Sequence, residues 1–226
     1  MKIRLVIATR ESESNFFESS MTGKSLLSNF PEFIDLKLFA NNSIGLPKLY
    51  NQIIRESEDD PATLVFAHDD LFLLDYYWCK RVIEGLENFS VIGLAGNIDR
   101  APKQPTWWFK DEFFNWDKSE NLSGVIGHGT EFPPSNISFY GAPRQQVKLL
   151  DGVFLAAHSQ TLIDNELFFD EQFDFHFYDL DFCRQAEAKG IDLGTWDIAF
   201  LHGSKGNCAA ASWKIGYEKY LAKWNY

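Results

Sequence analysis

Cysteine is scarce in this chain: three residues in 226, Cys79, Cys183 and Cys208, with no C-x-x-C pair. That spacing gives neither a zinc-ligand set nor a disulfide framework, and it suits reduced thiols in a cytoplasmic compartment. Positive charge is also in deficit, with 21 Lys and Arg against 32 Asp and Glu and a net charge of -11. So acidic a chain lacks the excess cations that hold a nucleic-acid backbone or an anionic membrane by general charge. Long apolar runs are missing too. The opening run from Ile3 to Ala8 has the length of a strand and is too short for a signal-peptide core. No stretch approaches the ~20 apolar residues of a membrane span. Repeats, low-complexity tracts and linker-like boundaries are absent, so residues 1–226 read as one domain whose 45% hydrophobic content suffices for a core.

Aromatic residues are plentiful: 21 Phe, 8 Tyr and 7 Trp. Most belong in a core, but Trp107, Trp108 and Trp116 fall in a polar stretch and invite another explanation. The first hundred residues alternate strand and helix patterns. Strands are predicted over 2–9, 34–40, 63–67 and 90–95. A helix over 46–54 follows from Leu46, Leu49, Tyr50, Ile53 and Ile54 at helical spacing, with Pro47 in its first turn. A second helix is expected over 75–87 and one or two helical turns over 25–30, ended by Pro31; residues 10–20 read as a polar loop. This alternation favours a mainly parallel sheet covered on both faces. The pattern breaks over 97–121, a long irregular loop, and continues as short strands over 125–140. A strand over 146–156 is interrupted at Asp151-Gly152. A helix over 179–189, a strand over 193–201 and an amphipathic terminal helix from residue 212 complete the reading.

Several clusters carry chemistry. His68-Asp69-Asp70 ends an apolar strand, where ligands bind in open α/β sheets, and carboxylates there are hard ligands for Mg²⁺ or Mn²⁺. The same acids serve equally as helix caps. Asp179 and Asp181 open a predicted helix, whose positive end favours the ionised form a general base needs; capping again competes. His176, in F-H-F-Y, can serve as a ligand or an acceptor contact, or sit among the aromatics as core histidines do. His202 to Asn207 is a Gly-rich loop in which His202 can ligate a metal and Lys205 can meet a phosphate, or a plain surface turn. Gly152 implies close approach of a ligand or backbone, or a bulge. Trp107 and Trp108 can stack on a sugar face, or simply pack the long loop. Together these groups point to metal-assisted transfer from a nucleotide-activated donor.

The ordered series D-G-V-F-L-A-A-H (151–158), F-D-E-Q-F-D-F-H-F-Y-D-L-D (169–181) and L-H-G-S (201–204) resembles bacterial family-two-like glycosyltransferases of the GT-A fold. The likeness runs from Ile3 to about Asn207. It implies an α/β fold with a mixed, mostly parallel central sheet flanked by helices. It also implies a nucleotide-diphosphate sugar donor, UDP-sugar favoured, and a glycan or lipid-linked glycan acceptor, in glycan or polysaccharide synthesis. His68-Asp69-Asp70 takes the place of the family's Asp-x-Asp motif. Asp70 matches the metal-binding acid, and His68 replaces the first acid. Asp179 matches the acceptor base, with Tyr178 where a partner Glu often stands. His202 matches a late metal or pyrophosphate contact. Thr9, Arg10, Glu11 and Asn41 lie where the nucleoside binds. The resemblance further implies inversion at the anomeric carbon, with acceptor choice residing in 97–140. Two other classes stay open: a nucleotidyltransferase making a nucleotide sugar, and a non-catalytic glycan- or nucleotide-binding module. Location is expected to be cytoplasmic, peripheral at the inner membrane face if the acceptor is lipid-linked, with the terminal helix's Trp213, Tyr217, Tyr220 and Trp224 either a membrane patch or packing against the domain.

Overall fold

The computed structural model describes residues 2–28, 34–204, 208 and 210–225. In chain order the elements are β1 (Ile3–Ala8), α1 (Glu13–Ser19), α2 (Met21–Ser28), β2 (Ile34–Phe39), α3 (Leu46–Glu56), β3 (Thr63–Ala67), β4 (Leu71–Leu73), α4 (Trp78–Leu86), β5 (Val91–Gly93), β6 (Ala95–Asn97), β7 (Leu122–His128), β8 (Asn136–Gly141), β9 (Gln146–Val147), β10 (Leu149–Leu150), β11 (Phe154–His158), α5 (Ser159–Asp164), α6 (Tyr178–Ala188), β12 (Leu193–Thr195), β13 (Phe200–His202) and α7 (Ala211–Lys223).

Seven strands form the main sheet in the order β2-β1-β3-β11-β5-β12-β9. β1 pairs in parallel with β2 and β3, and β5 with β12, while β11 runs against β3 and β5, and β9 against β12. Five strands therefore share one direction and two oppose it. β3 is buried along its whole length, as a strand covered on both faces must be, and its sequence T-L-V-F-A is accordingly continuous rather than alternating. A second sheet holds β10-β6-β7-β13-β4, with β8 beside β7.

The chain passes from the main sheet to the second at four short breaks: β3 to β4, β5 to β6, β9 to β10 and β12 to β13. The strands expected as single runs over 90–95 and 193–201 are thus each split between sheets. Leu94 marks one break and residues 196–199 the other. A continuous hydrophobic run does not reveal such a crossing, because both halves are buried. His68-Asp69-Asp70 occupies the first of these crossings. Asp151-Gly152 lies where β10 of the second sheet gives way to β11 of the first.

α3 follows its pattern, burying Leu46, Leu49, Tyr50, Ile53 and Ile54 with Pro47 in the first turn. The segment read as a polar loop over 10–20 is instead largely helical. Ser12 caps α1 by accepting from the Asn15 N–H. Phe16 is the one buried residue of α1, so no apolar period marks the helix. The short helix expected near 25–30 lies within α2, which begins earlier, at Met21; Pro31 falls outside the described residues. The terminal helix α7 turns Trp213 and Tyr220 inward and buries both. Phe177 stacks against Tyr217 and Tyr220. The aromatic face is therefore core packing rather than an exposed membrane patch. No helix among the described residues is long and apolar enough to cross a membrane.

Candidate active site

The crossing from β3 to β4 sorts its three residues. His68 is tethered by its backbone N–H to the Val153 carbonyl at 3.0 Å, and the buried Thr22 of α2 donates its hydroxyl to the His68 and Leu71 carbonyls. Asp69 turns toward the end of β1, where it accepts from the Thr9 hydroxyl at 2.6 Å. Thr9 is joined to the end of β2 by two backbone bonds: its N–H reaches Phe39 O and its carbonyl accepts from Asn42. The Asn41 N–H donates to the Glu11 carbonyl at 2.7 Å, and Glu11 N–H donates to the Thr9 hydroxyl. Thr9, Glu11, Asn41 and Asp69 thus gather at the ends of β1, β2 and β3; Arg10 beside them is exposed.

Asp70 faces the other way. Its Oδ2 lies 3.5 Å from His202 Nε2 and its Oδ1 lies 3.9 Å from His68 Nδ1. One ligand atom from each of His68, Asp70 and His202 falls within 4.8 Å of the others. Asp70 Oδ1 is buried and makes no hydrogen bond. A buried carboxylate oxygen without a donor is costly, so a two-histidine, one-carboxylate set with an orphaned oxygen fits a divalent cation. Burial opposes ionisation of Asp70, but contact with His202 and the charge of both imidazoles outweighs it and holds the carboxyl below its usual range. Burial likewise disfavours charge on His202, yet Asp70 and Asp151 raise its pKa.

The second acidic group is assembled across 28 residues of sequence. Gly152 N–H donates to Asp179 Oδ2 at 3.0 Å. The Tyr178 hydroxyl donates to the Gly152 carbonyl at 2.7 Å and lies 2.9 Å from His68 Nε2. A Cβ on residue 152 would meet the Tyr178 hydroxyl at 2.5 Å and Asp179 Cβ at 2.9 Å. The close approach that the glycine implies is therefore by two side chains. Neither acid caps α6. The cap residue is Phe177, at φ 67° in the left-handed region that bulky residues avoid. Its ring is clamped by Trp213, Tyr217 and Tyr220 of α7, and Gly216 gives it room. This clamped turn delivers Tyr178 and Asp179 side by side. Burial, and then the charge of Asp151, push the Asp179 carboxyl up to about 7 in spite of the backbone N–H groups around it.

A cavity of about 660 Å³ opens over these groups. Asp70, Asp151, Asp179, His68 and His202 form its polar floor, and Trp107, Trp108, Trp116, Tyr140 and Trp213 belong to its walls. Trp107 also fixes Asp151, donating Nε1–H to Oδ2 at 2.9 Å, so the long loop packs and lines the cavity at once. His176 lines it as well. Asp181 does not reach it. That carboxylate is fully buried on the far side of α6, bound by Lys223, the Trp224 indole N–H and Gln185, and it anchors α7 to α6. Lys205 lies outside the described residues. His128, paired in register with His202 across β13 and β7, joins the cavity without a sequence signal, as do Tyr140 and Trp213; only the sheet pairing and the docking of α7 bring them there.

Residues 8–220 match the glycosyltransferase-like family. No curated protein sequence matches the chain. Among solved structures, S. aureus TarS superposes with a TM-score of 0.52 at 13% identity, over 90% of this chain and 37% of that one. S. aureus TarS 1-349 in complex with UDP-GlcNAc gives 0.51 at 12% identity, over 92% of this chain and 60% of the other. The chain thus spans roughly a third to three fifths of the TarS chains it resembles. These likenesses, with the mixed sheet, show the expected GT-A fold.

Proposed function

The chain belongs to the glycosyltransferase-like family, and from that premise we propose that it moves a sugar from a nucleotide-diphosphate sugar to a hydroxyl of a glycan or lipid-linked glycan, with inversion. One observation carries the reading: Asp179 is a buried carboxyl raised to about 7, in a cavity it shares with the His68–Asp70–His202 cluster. A base poised near neutrality is suited to take the acceptor proton. Gly152 N–H and the clamped turn at Phe177 fix its position. The deprotonated oxygen attacks the anomeric carbon from the face opposite the departing diphosphate.

His68, Asp70 and His202 would hold a Mg²⁺ or Mn²⁺ ion, which when bound neutralises charge on the diphosphate. The polar ends of β1 and β2, with Thr9, Glu11, Asn41 and Asp69, suit the nucleoside. A UDP-sugar is favoured, because TarS is similar in fold and binds UDP-GlcNAc. The aromatic walls, with Trp107, Trp108 and His176, suit the apolar faces of an acceptor sugar. On this reading 1–226 is one transferase domain acting in the cytoplasm, 97–140 is its acceptor side, and polysaccharide synthesis is its setting.

The test is a thermal-shift screen of nucleoside diphosphates with and without Mn²⁺, followed by an assay of sugar transfer. A ligand at ~100 times its dissociation constant adds ~2.7 kcal/mol. A metal-dependent shift with UDP, and transfer lost in Asp179→Asn with UDP binding retained, are expected. Near-wild-type transfer by that variant would sink the assignment.

A further inference from the structure

We propose that Tyr178 is a positioning residue for the cation site: it fixes the tautomer of His68 so that Nδ1 serves the ion, and the resulting two-imidazole, one-carboxylate set selects a transition-metal ion over Mg²⁺. The proposal rests on the cation-assisted reading above and deepens it.

The proton positions follow from the hydrogen bonds. The Gly152 carbonyl can only accept, so the buried bond at 2.7 Å uses the single hydrogen of the Tyr178 hydroxyl. The phenol oxygen is then left with lone pairs alone toward His68 Nε2, 2.9 Å away. His68 must donate there, which places its ring proton on Nε2 and its lone pair on Nδ1. Nδ1 is the nitrogen that faces Asp70, 3.9 Å from the orphaned Oδ1. The ring plane is held by Phe175, stacked at 5.4 Å and 27°. Gly152 is part of the device, because a Cβ there would strike the Tyr178 hydroxyl. A histidine that ligates metal commonly donates its other N–H to an oxygen, which sets the tautomer and orientation. Tyr178, one residue before the carboxylate that faces the acceptor, supplies that oxygen and so ties the metal side of the site to the base side.

The choice of ion follows from the donor set. Mg²⁺ demands oxygen ligands in near-ideal octahedral array, whereas imidazole suits first-row transition ions. Two of the three donors here are imidazole nitrogens. Mn²⁺, Co²⁺ and Zn²⁺ therefore fit better than Mg²⁺.

The experiment needs no sugar donor. Long-range ¹H–¹⁵N spectra of the five histidines, with His68→Gln to assign the resonance, report the tautomer directly. The expected result is a proton on Nε2 of His68 in the wild type. Free Mn²⁺ measured by electron paramagnetic resonance then gives affinity. Tyr178→Phe, checked for an intact fold by its melting curve, should lose about 10–100-fold in Mn²⁺ affinity, and a large excess of Mg²⁺ should displace little Mn²⁺ from the wild type. A proton on Nδ1 in the wild type, equal competition by Mg²⁺, or unchanged Mn²⁺ affinity in a folded Tyr178→Phe would each overturn the proposal. Should that variant fail to fold, the wild-type tautomer and ion competition still decide. An inactive protein with the expected tautomer and Mn²⁺ preference would refute sugar transfer and leave this inference standing, so the two failures are distinguishable.

Discussion

The two sides of the β3–β4 crossing are built by different means. On one side, Thr9, Glu11, Asn41 and Asp69 meet at the ends of three neighbouring parallel strands, joined by short bonds and backbone N–H groups. On the other, the walls combine the 105–116 loop, β7, β8, the turn before α6 and α7, and the contacts are between rings: Trp107 with Tyr140, Trp116 with Tyr140, Phe177 with Trp213. The first flank is polar and made of strand ends that cannot move without disturbing the sheet. The second is apolar, and its 105–116 loop and the turn before α6 can change residue by residue. On the proposed function, the nucleoside of the donor would sit at the first and the acceptor sugar at the second.

The sharpest way to break this division is at its seam. Asp179→Asn should lower transfer by ~10²–10⁴-fold while leaving donor binding intact, as measured by turnover and by titration with UDP. In the wild type the rate should rise with pH through about 7 and then level, since only the ionised carboxylate accepts a proton. The same shift has a consequence for stability. With a folded value raised above the unfolded one, the contribution of Asp179 is fully present below pH ~4 and is lost as pH rises through 7. Asp179→Asn should therefore melt higher than the wild type at pH 8, by on the order of 4 kcal/mol at most, and the two curves should converge in acid. A mutant that melts lower at pH 8 would contradict the raised value.

Asp70→Ala is the next test, aimed at the floor. Donor affinity should fall at least ~10-fold and lose its response to added Mn²⁺; unchanged metal dependence would remove Asp70 from the ligand set. Gly152→Ala would push on both Tyr178 and Asp179. Overpacking of this kind costs ~1–3 kcal/mol, visible in urea melts, and it should slow turnover as well. A neutral substitution would mean the close approach is not needed. The smallest effect should come from the walls. Trp116, more than half exposed at 57% and stacked beside Tyr140, should on truncation to Ala weaken acceptor binding by about 0.5–1.5 kcal/mol and leave donor affinity untouched. A donor effect there would erase the proposed division.

Periodicity and strand-end chemistry made part of this legible. The spacing of Leu46 to Ile54 marks α3, the run T-L-V-F-A marks β3, and a charged triplet after a buried strand marks a site. What hid from that reading has a physical cause in each instance. α1 buries one residue and so carries no period. β5 and β6 form one apolar run although they belong to different sheets. Asp181 looks like Asp179 in the sequence, two positions on, yet that step of about 200° around a helix sends its carboxylate to Lys223 and Trp224 rather than to the cavity.

By itself the sequence determined the strand-helix order, the polar triplet at the end of β3, the acid at the start of α6 and the glycine beside it, because these depend on local patterns of burial and backbone freedom. Only the tertiary structure decided which acid faces the cavity, that His202 and His68 both turn to Asp70, and that α7 closes the aromatic wall. Those outcomes depend on sheet crossings and helix docking that join residues up to 134 positions apart, as His68 and His202 are, and no local pattern encodes such a meeting.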